Sequence, residues 1–307
     1  MATKPLAPIL PTSVHDPEGT EGAITRATAE FRRRLRDVVK GYAEALKRLP
    51  YQVIVTNADS YAYQLDQGVL ARLLESMDWL VDEILLEGGE PDLWFWTGYI
   101  KLAYERGTAR TIKNLARQSA AYKAERATLR DVIQEPFYQR RLLMLRAREF
   151  EEMKGFSGGV KADMARVLTD GLARGRNPLA IARNLTEQLG IEEYRAERIA
   201  RTEINTGLRR ARWDEMEDAA ATYGLNFKQM HMSALSPTTR AEHAARHGDL
   251  FTLAEVRSWF AAGANSINCK CSTVEVLVDN DGAPVVGAIV DRAQAMRRKY
   301  EEDQDAI

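Results

Sequence analysis

The chain has 307 residues, of which 28% are charged and 45% apolar, and its net charge is -1. That balance excludes a global field aimed at nucleic acid or a membrane surface. No apolar run reaches the roughly 18 residues a spanning helix needs, so no membrane partner is expected.

The length suggests about two domains, each able to bury a core. The chain has only two cysteines. Met1 to Leu10 has no apolar stretch of the kind an export signal carries, which points to a reducing compartment or to assembly inside a cell. Residues 1–18 contain four prolines and no periodic pattern, and predict a mobile arm. From residue 19 to 155 the pattern is helical, with helices expected near 21–49, 58–88, 98–130 and 131–154. The expected breaks are Pro50, Gly88-Gly89-Glu90-Pro91 and Pro136. The aromatic run Leu93 to Tyr99 reads as a core plug between helices or as a partner-binding patch.

Gly155 to Lys161, GFSGGVK, reads as a linker, because its lysine spacing does not fit a phosphate loop. Asn177-Pro178 is an N-cap followed by an N1 proline, with Gly190 as the expected stop, and a second helix is expected over 191–222. Leu225 to Ser233 alternates like a strand. Ser236-Pro237 opens a helix that Gly248 ends, and Thr252 to Glu255 is a capping box for another that Gly263 ends. Cys271 to Val278 reads as a strand turned by Asp279-Asn280-Asp281-Gly282. Residues 283–307 read as a tail containing a charged helix. The fold class expected is mainly α with a smaller α+β C-terminal module. Its parts are an arm (1–18), a helical N-terminal domain (19–155), the α+β module (156–282) and the tail (283–307).

Three constellations carry chemistry. Cys269 and Cys271 lie two apart, hence on one side of a strand, and His243 and His247 lie four apart on the same helical face as Arg240. Two thiolates and two imidazoles suit tetrahedral zinc, although the spacing matches no zinc-finger class. The alternative is two small buried cysteines and two surface histidines. Arg201, in the run Arg201-Thr202-Glu203, shares a face with Tyr194, Ile204 and Leu208. A cation there needs a carboxylate or backbone carbonyls from elsewhere in the fold, and the competing reading is a ligand or catalytic role. Arg106, Arg110, Lys113 and Arg117 fall within about 60° of one another on one helix. They read either as a solvated face or as a docking surface for DNA phosphates or an acidic protein rim, and Phe31 to Arg36 is a second basic cluster of the same kind. There is no glycine-rich nucleotide loop, nucleophile elbow or metalloprotease helix, so a conventional hydrolase is not expected.

Taken in order, Glu197 to Arg212 (ERIARTEINTGLRRAR), Thr238 to Thr252 (TTRAEHAARHGDLFT) and Asn268 to Cys271 (NCKC) resemble the phage head morphogenesis, or minor head, proteins of the Mu F-like group, over about residues 167–273. Ser266 and Ile267 stand where that family usually has His-Pro. The resemblance implies a low-copy structural protein, not an enzyme. Such a protein associates with the portal protein and other head proteins during assembly and is retained in some virions near the packaged DNA. It also implies an alternative, an injected DNA-binding or effector protein with an ADP-ribosyltransferase-like module, although no Arg…Ser-Thr-Ser…Glu-x-Glu set is legible.

Overall fold

A computed structural model describes residues 5–55, 59–126 and 128–305. Its elements, in chain order, are α1 (Glu21–Arg48), β1 (Tyr51–Val55), β2 (Asp59–Tyr63), α2 (Gln67–Leu85), α3 (Gly89–Asp92), a π-helical turn (Trp96–Ile100), α4 (Lys101–Gln118), α5 (Ala120–Glu125), α6 (Leu129–Val132), α7 (Pro136–Ala173) and α8 (Pro178–Tyr223). They are followed by β3 (Phe227–Met232), α9 (Ala241–Ala244), β4 (Leu250–Phe251), α10 (Leu253–Ala261), β5 (Ser272–Leu277) and α11 (Ala288–Asp305). The mainly α class with a small C-terminal α+β module is what the structure shows.

The chain forms two compact units. One comprises 25–98 and 143–200; the other comprises the described parts of 1–24, 99–142 and 201–307. Both α7 and α8 run from one unit into the other, so the units are not the consecutive segments 19–155 and 156–282.

In the first unit, Phe31 packs edge-on against Trp94, Phe95 and Phe156, with ring centroids 4.7, 5.1 and 5.5 Å away. The aromatic run is therefore a core plug over this stretch, and Leu93 and Phe95 have no exposed surface. Arg34, the middle of the expected basic cluster, is buried. It stacks over Trp94 at 4.4 Å and pairs with Glu30 and Glu87, so it is not a docking residue. The expected helix 58–88 begins only at Gln67. Ahead of it, β1 and β2 form an antiparallel hairpin pairing Tyr51 with Tyr63. Its β-branched run Val53–Val55 favours a strand over a helix.

The expected linker at 155–161 lies inside α7. Met153, Phe156, Val160 and Met164, at helical spacing, are all buried, and that burial outweighs the roughly 1 kcal/mol each helical glycine costs. A Cβ at Gly159 would lie 2.4 Å from Arg195 Nη2, the end of a flexible side chain that can swing aside, so packing does not demand glycine there. Likewise α8 continues through Gly190, because Leu185, Leu189, Glu192 and Ala196 form one buried stripe across it.

The second unit is built on an antiparallel sheet of order β4-β3-β5. β3 pairs with β5 in a register that sets Met230 against Val274 and His231 against Thr273. One sheet face, with Met230, Met232, Val274 and Val276, packs on Val290 and Ala293 of α11. The other face carries Gln229, His231, Thr273 and Glu275, all buried, so strand alternation has placed polar groups inside the fold. The arm is ordered over its described residues. Leu6 N donates to Arg117 O at 3.1 Å, Ile9 N donates to Asn114 Oδ1 at 2.8 Å, and Glu18 is fully buried. The expectation of a mobile arm does not hold there, because bonds to α4 satisfy its backbone in place of water.

Candidate functional site

The C-terminal part of α8 is unusual in being buried on nearly every side although its sequence is polar. Its polar side chains meet the segment that carries the two cysteines. Thr202 Oγ1 accepts from Asn268 N at 2.9 Å. Asn205 Nδ2 donates to Cys269 O at 2.8 Å, and Arg209 Nη1 donates to Cys271 O at 3.3 Å. Arg212 Nη1 donates to Ser272 Oγ at 3.0 Å, and Arg212 Nε donates to Glu275 Oε1 at 2.9 Å. Residues 202, 205, 209 and 212 are three and four apart, which is one helical face. This face holds the loop before β5 almost residue by residue. Asn268 adopts a left-handed φ of 52°, a conformation asparagine tolerates. On the far side of the loop, Arg240 donates to Ala264 O at 2.7 Å and Ile267 O at 3.1 Å.

The loop delivers both sulfurs to one imidazole. Cys271 Sγ lies 3.3 Å and Cys269 Sγ 3.5 Å from His243 Nδ1. The fourth member is not His247. The expected helix is a single turn, Ala241–Ala244, so the 3.6-residue geometry ends before His247. His247 Nδ1 instead sits 3.0 Å from Ser233 N and 3.2 Å from Ser233 O. Burial pushes its pKa down to about 4. The structure brings His231 of β3 to the cluster: its ring nitrogen, one of His243 and Cys271 Sγ all lie within 4.8 Å of one another. The signal was present in the sequence, since Met230 and Met232 on a strand consign His231 to the opposite face.

Two rings from α10 form the wall. His243 lies edge-on to Trp259 at 4.6 Å, and His231 lies edge-on to it at 5.1 Å and stacked on Phe260 at 6.0 Å. The expected capping box is present: Thr252 Oγ1 accepts from Glu255 N at 3.2 Å while Glu255 Oε2 accepts from Thr252 N at 2.7 Å. Arg209 stacks over Phe260 at 4.3 Å, and Arg246 over Phe251 at 3.7 Å. Burial, then the Arg246 charge, holds His231 neutral, with its pKa far below the usual value. A hydrogen bond with the Cys271 thiol favours the Cys269 thiolate. Burial opposes that, and His243 and Arg209 reinforce it. Cys271 in turn is held protonated.

Behind the cluster lies a charged core. Arg212 bridges two fully buried carboxylates, Glu275 and, at 3.6 Å, Glu18. Burial raises the Glu275 pKa, but Arg212 overrides it and the net shift is downward. For Glu18 burial wins over Arg212, Arg209 and Arg110, and the shift is upward. Arg201 is buried and paired with Glu21, a carboxylate from outside its own helix, which Lys270 also approaches at 3.2 Å. The apolar stripe beside it is Ala200, Ile204, Leu208 and Ala211. Tyr194 is exposed and is not part of it. Thr202 holds the loop as described, and Glu203 is buried next to it.

The basic stripe faces the chain's own arm. Arg106 Nη1 donates to Gly19 O at 2.6 Å, Arg110 Nη1 donates to Glu18 O, and Arg117 Nε donates to Ala7 O at 3.2 Å. Lys113 lines the cavity beneath the arm. Arg106, Arg110 and Arg117 anchor the arm, while Arg106, Lys113 and Arg117 keep exposed surface.

Fold and site define a helical chain ending in a small α+β module closed around a buried Cys and His cluster. Residues 162–274 match the family described as Phage Mu protein F like protein. The expected span of resemblance, 167–273, lies inside that match, so the segment is Mu F-like. No curated protein and no solved structure matches the chain.

Proposed function

We propose that this protein is a minor head protein of a tailed phage, acting in head morphogenesis with the portal protein and other head proteins, and retained in the virion. The observation that supports this reading most is the Mu F-like match over 162–274. The use made of the matched motif supports it too. Arg201, Thr202, Asn205, Arg209 and Arg212 spend their polar groups on the chain's own loop, α1 and sheet. Side chains committed in this way hold a shape, and we assign them no catalytic step. A mass-spectrometric inventory of mature virions beside empty procapsids tests the reading, with co-purification on the portal protein as a second arm. The chain is expected in both particles. Its absence from both would overturn the proposal, and recovery from the host cytoplasm after infection would favour an injected effector.

A further inference from the structure

The buried cluster contains more unsatisfied chemistry than a packed core accounts for. Both ring nitrogens of His231 are buried without a hydrogen-bond partner. A buried polar group without a partner is costly, and a whole imidazole left so is unusual.

We propose that His231, His243, Cys269 and Cys271 form a closed structural zinc site that fastens the loop before β5 to β3 and α9. The geometry supports this at the distances that matter. Tetrahedral zinc with bonds of about 2.3 Å to sulfur and 2.0–2.1 Å to nitrogen sets neighbouring S and N ligands about 3.6 Å apart. The two sulfurs stand 3.3 and 3.5 Å from His243 Nδ1. A ring nitrogen of His231 lies within 4.8 Å of one of His243 and of Cys271 Sγ.

The donor set is two soft sulfurs and two imidazole nitrogens, which zinc prefers over harder cations. With both sulfurs bound as thiolates, one Zn2+ gives a neutral site, which suits a pocket walled by Trp259 and Phe260. The surroundings orient the ligands. Cys271 N points at Cys269 Sγ at 3.3 Å, and Asn205 and Arg209 hold the carbonyls of both cysteines. Four protein ligands leave no open position for substrate, so the metal is structural. His247 is left out because its Nδ1 is engaged by the backbone of Ser233 and its Nε2, although also buried without a partner, is not in the group of ligand atoms that lie within 4.8 Å of one another.

The test uses the full chain. Metal content is measured after reconstitution with zinc, and Co(II) is then substituted and followed by its thiolate charge-transfer and tetrahedral d–d absorption. The expected result is one metal per chain with both signatures. His231→Gln should lose stoichiometric metal, and His247→Gln should keep it with an unchanged spectrum. His231→Cys should keep the metal and strengthen the charge-transfer band, since a third thiolate joins. A chain that stays metal-free in excess zinc, or a Co(II) spectrum without thiolate charge transfer, would overturn the site. So would metal loss in His247→Gln. If His231→Gln fails to fold, His231→Cys still decides the role of His231: a spectrum identical to wild type would remove His231 from the ligand set.

Discussion

Replacing Arg212 with methionine tests the charged core behind the cluster. The guanidinium serves two carboxylates, and Glu275 and Glu18 are both fully buried. Methionine keeps the bulk and removes the charge. Glu275 retains Asn114 Nδ2 at 2.7 Å and Thr111 Oγ1 at 3.2 Å, but neutral donors do not balance a buried anion. Breaking such a pair costs about 3–5 kcal/mol. For a cooperative unit of this size that is a fall in Tm on the order of 10 °C at pH 7.

The pH dependence supplies an independent sign. In wild type the Glu275 pKa is depressed, so its contribution is present above the unfolded value of 4.5 and is lost as pH falls through the folded value. In the variant only neutral donors such as Asn114 oppose the burial of Glu275 and its pKa rises, so the variant gains stability as pH falls. The gap between the two proteins should therefore shrink from pH 7 toward pH 4. Arg201→Ala is the control. Its partner Glu21 is partly exposed and keeps Lys270 at 3.2 Å, so about 1 kcal/mol is expected. Thermal melts of the three proteins across pH measure this. An Arg212→Met melt within about 2 °C of wild type at pH 7, or a gap that ignores pH, would refute the reasoning.

Gly107→Ala puts a methyl 2.4 Å from Leu208 O and 2.8 Å from Ala211 Cβ, where α4 crosses α8. Since the neighbour is backbone, a loss of about 2–3 kcal/mol in denaturant unfolding is expected. Thermolysin should spare Leu10 and Val14 until the whole chain unfolds, because α4 holds the arm; early cleavage there would mean that the arm detaches. His247 has its pKa lowered to about 4 by burial, so stability should fall as pH drops from about 6.5 to 4, by roughly 3 kcal/mol. His247→Gln should flatten the slope of a urea midpoint series over that window.

Local signals in the sequence located the elements whose ends are fixed by local chemistry. The capping box at Thr252, the strand alternation of β3 and β5 and the span of α1 needed only neighbouring residues. Where long-range packing decided the outcome, local signals misled. Glycines 155, 158 and 159 read as a linker, yet Phe156 and Val160 are buried and carry the helix through. Pro-rich residues 5–18 read as mobile, but Arg110 and Arg117 of α4 bind their carbonyls, in a stripe that had read as a solvated face or a docking surface. In the site, two cysteines and His243 were legible from spacing. His231 was not legible from spacing: strand alternation sets it opposite Met230 and Met232, but its partners lie 12 and 40 residues away in the numbering and only the sheet register brings them near. His247 was assigned in its place on the assumption of a helix that the chain ends one turn early.

The site also accounts for the order of the motif. The loop from Asn268 to Cys271 has no regular structure of its own, so its backbone groups must find partners elsewhere if they are to be buried. Three turns of α8 provide them, through Thr202, Asn205, Arg209 and Arg212, while Arg240 holds the preceding bend. A helix presenting polar groups at this spacing can hold an extended strand only if the two run alongside one another, since about two strand residues span the rise of one helical turn. Arg-Thr-Glu, Arg-x-x-His and Cys-x-Cys are then three sides of one frame. The helix gives the rail, Arg240 and His243 form the bracket, and the cysteines are the point where the loop is fastened.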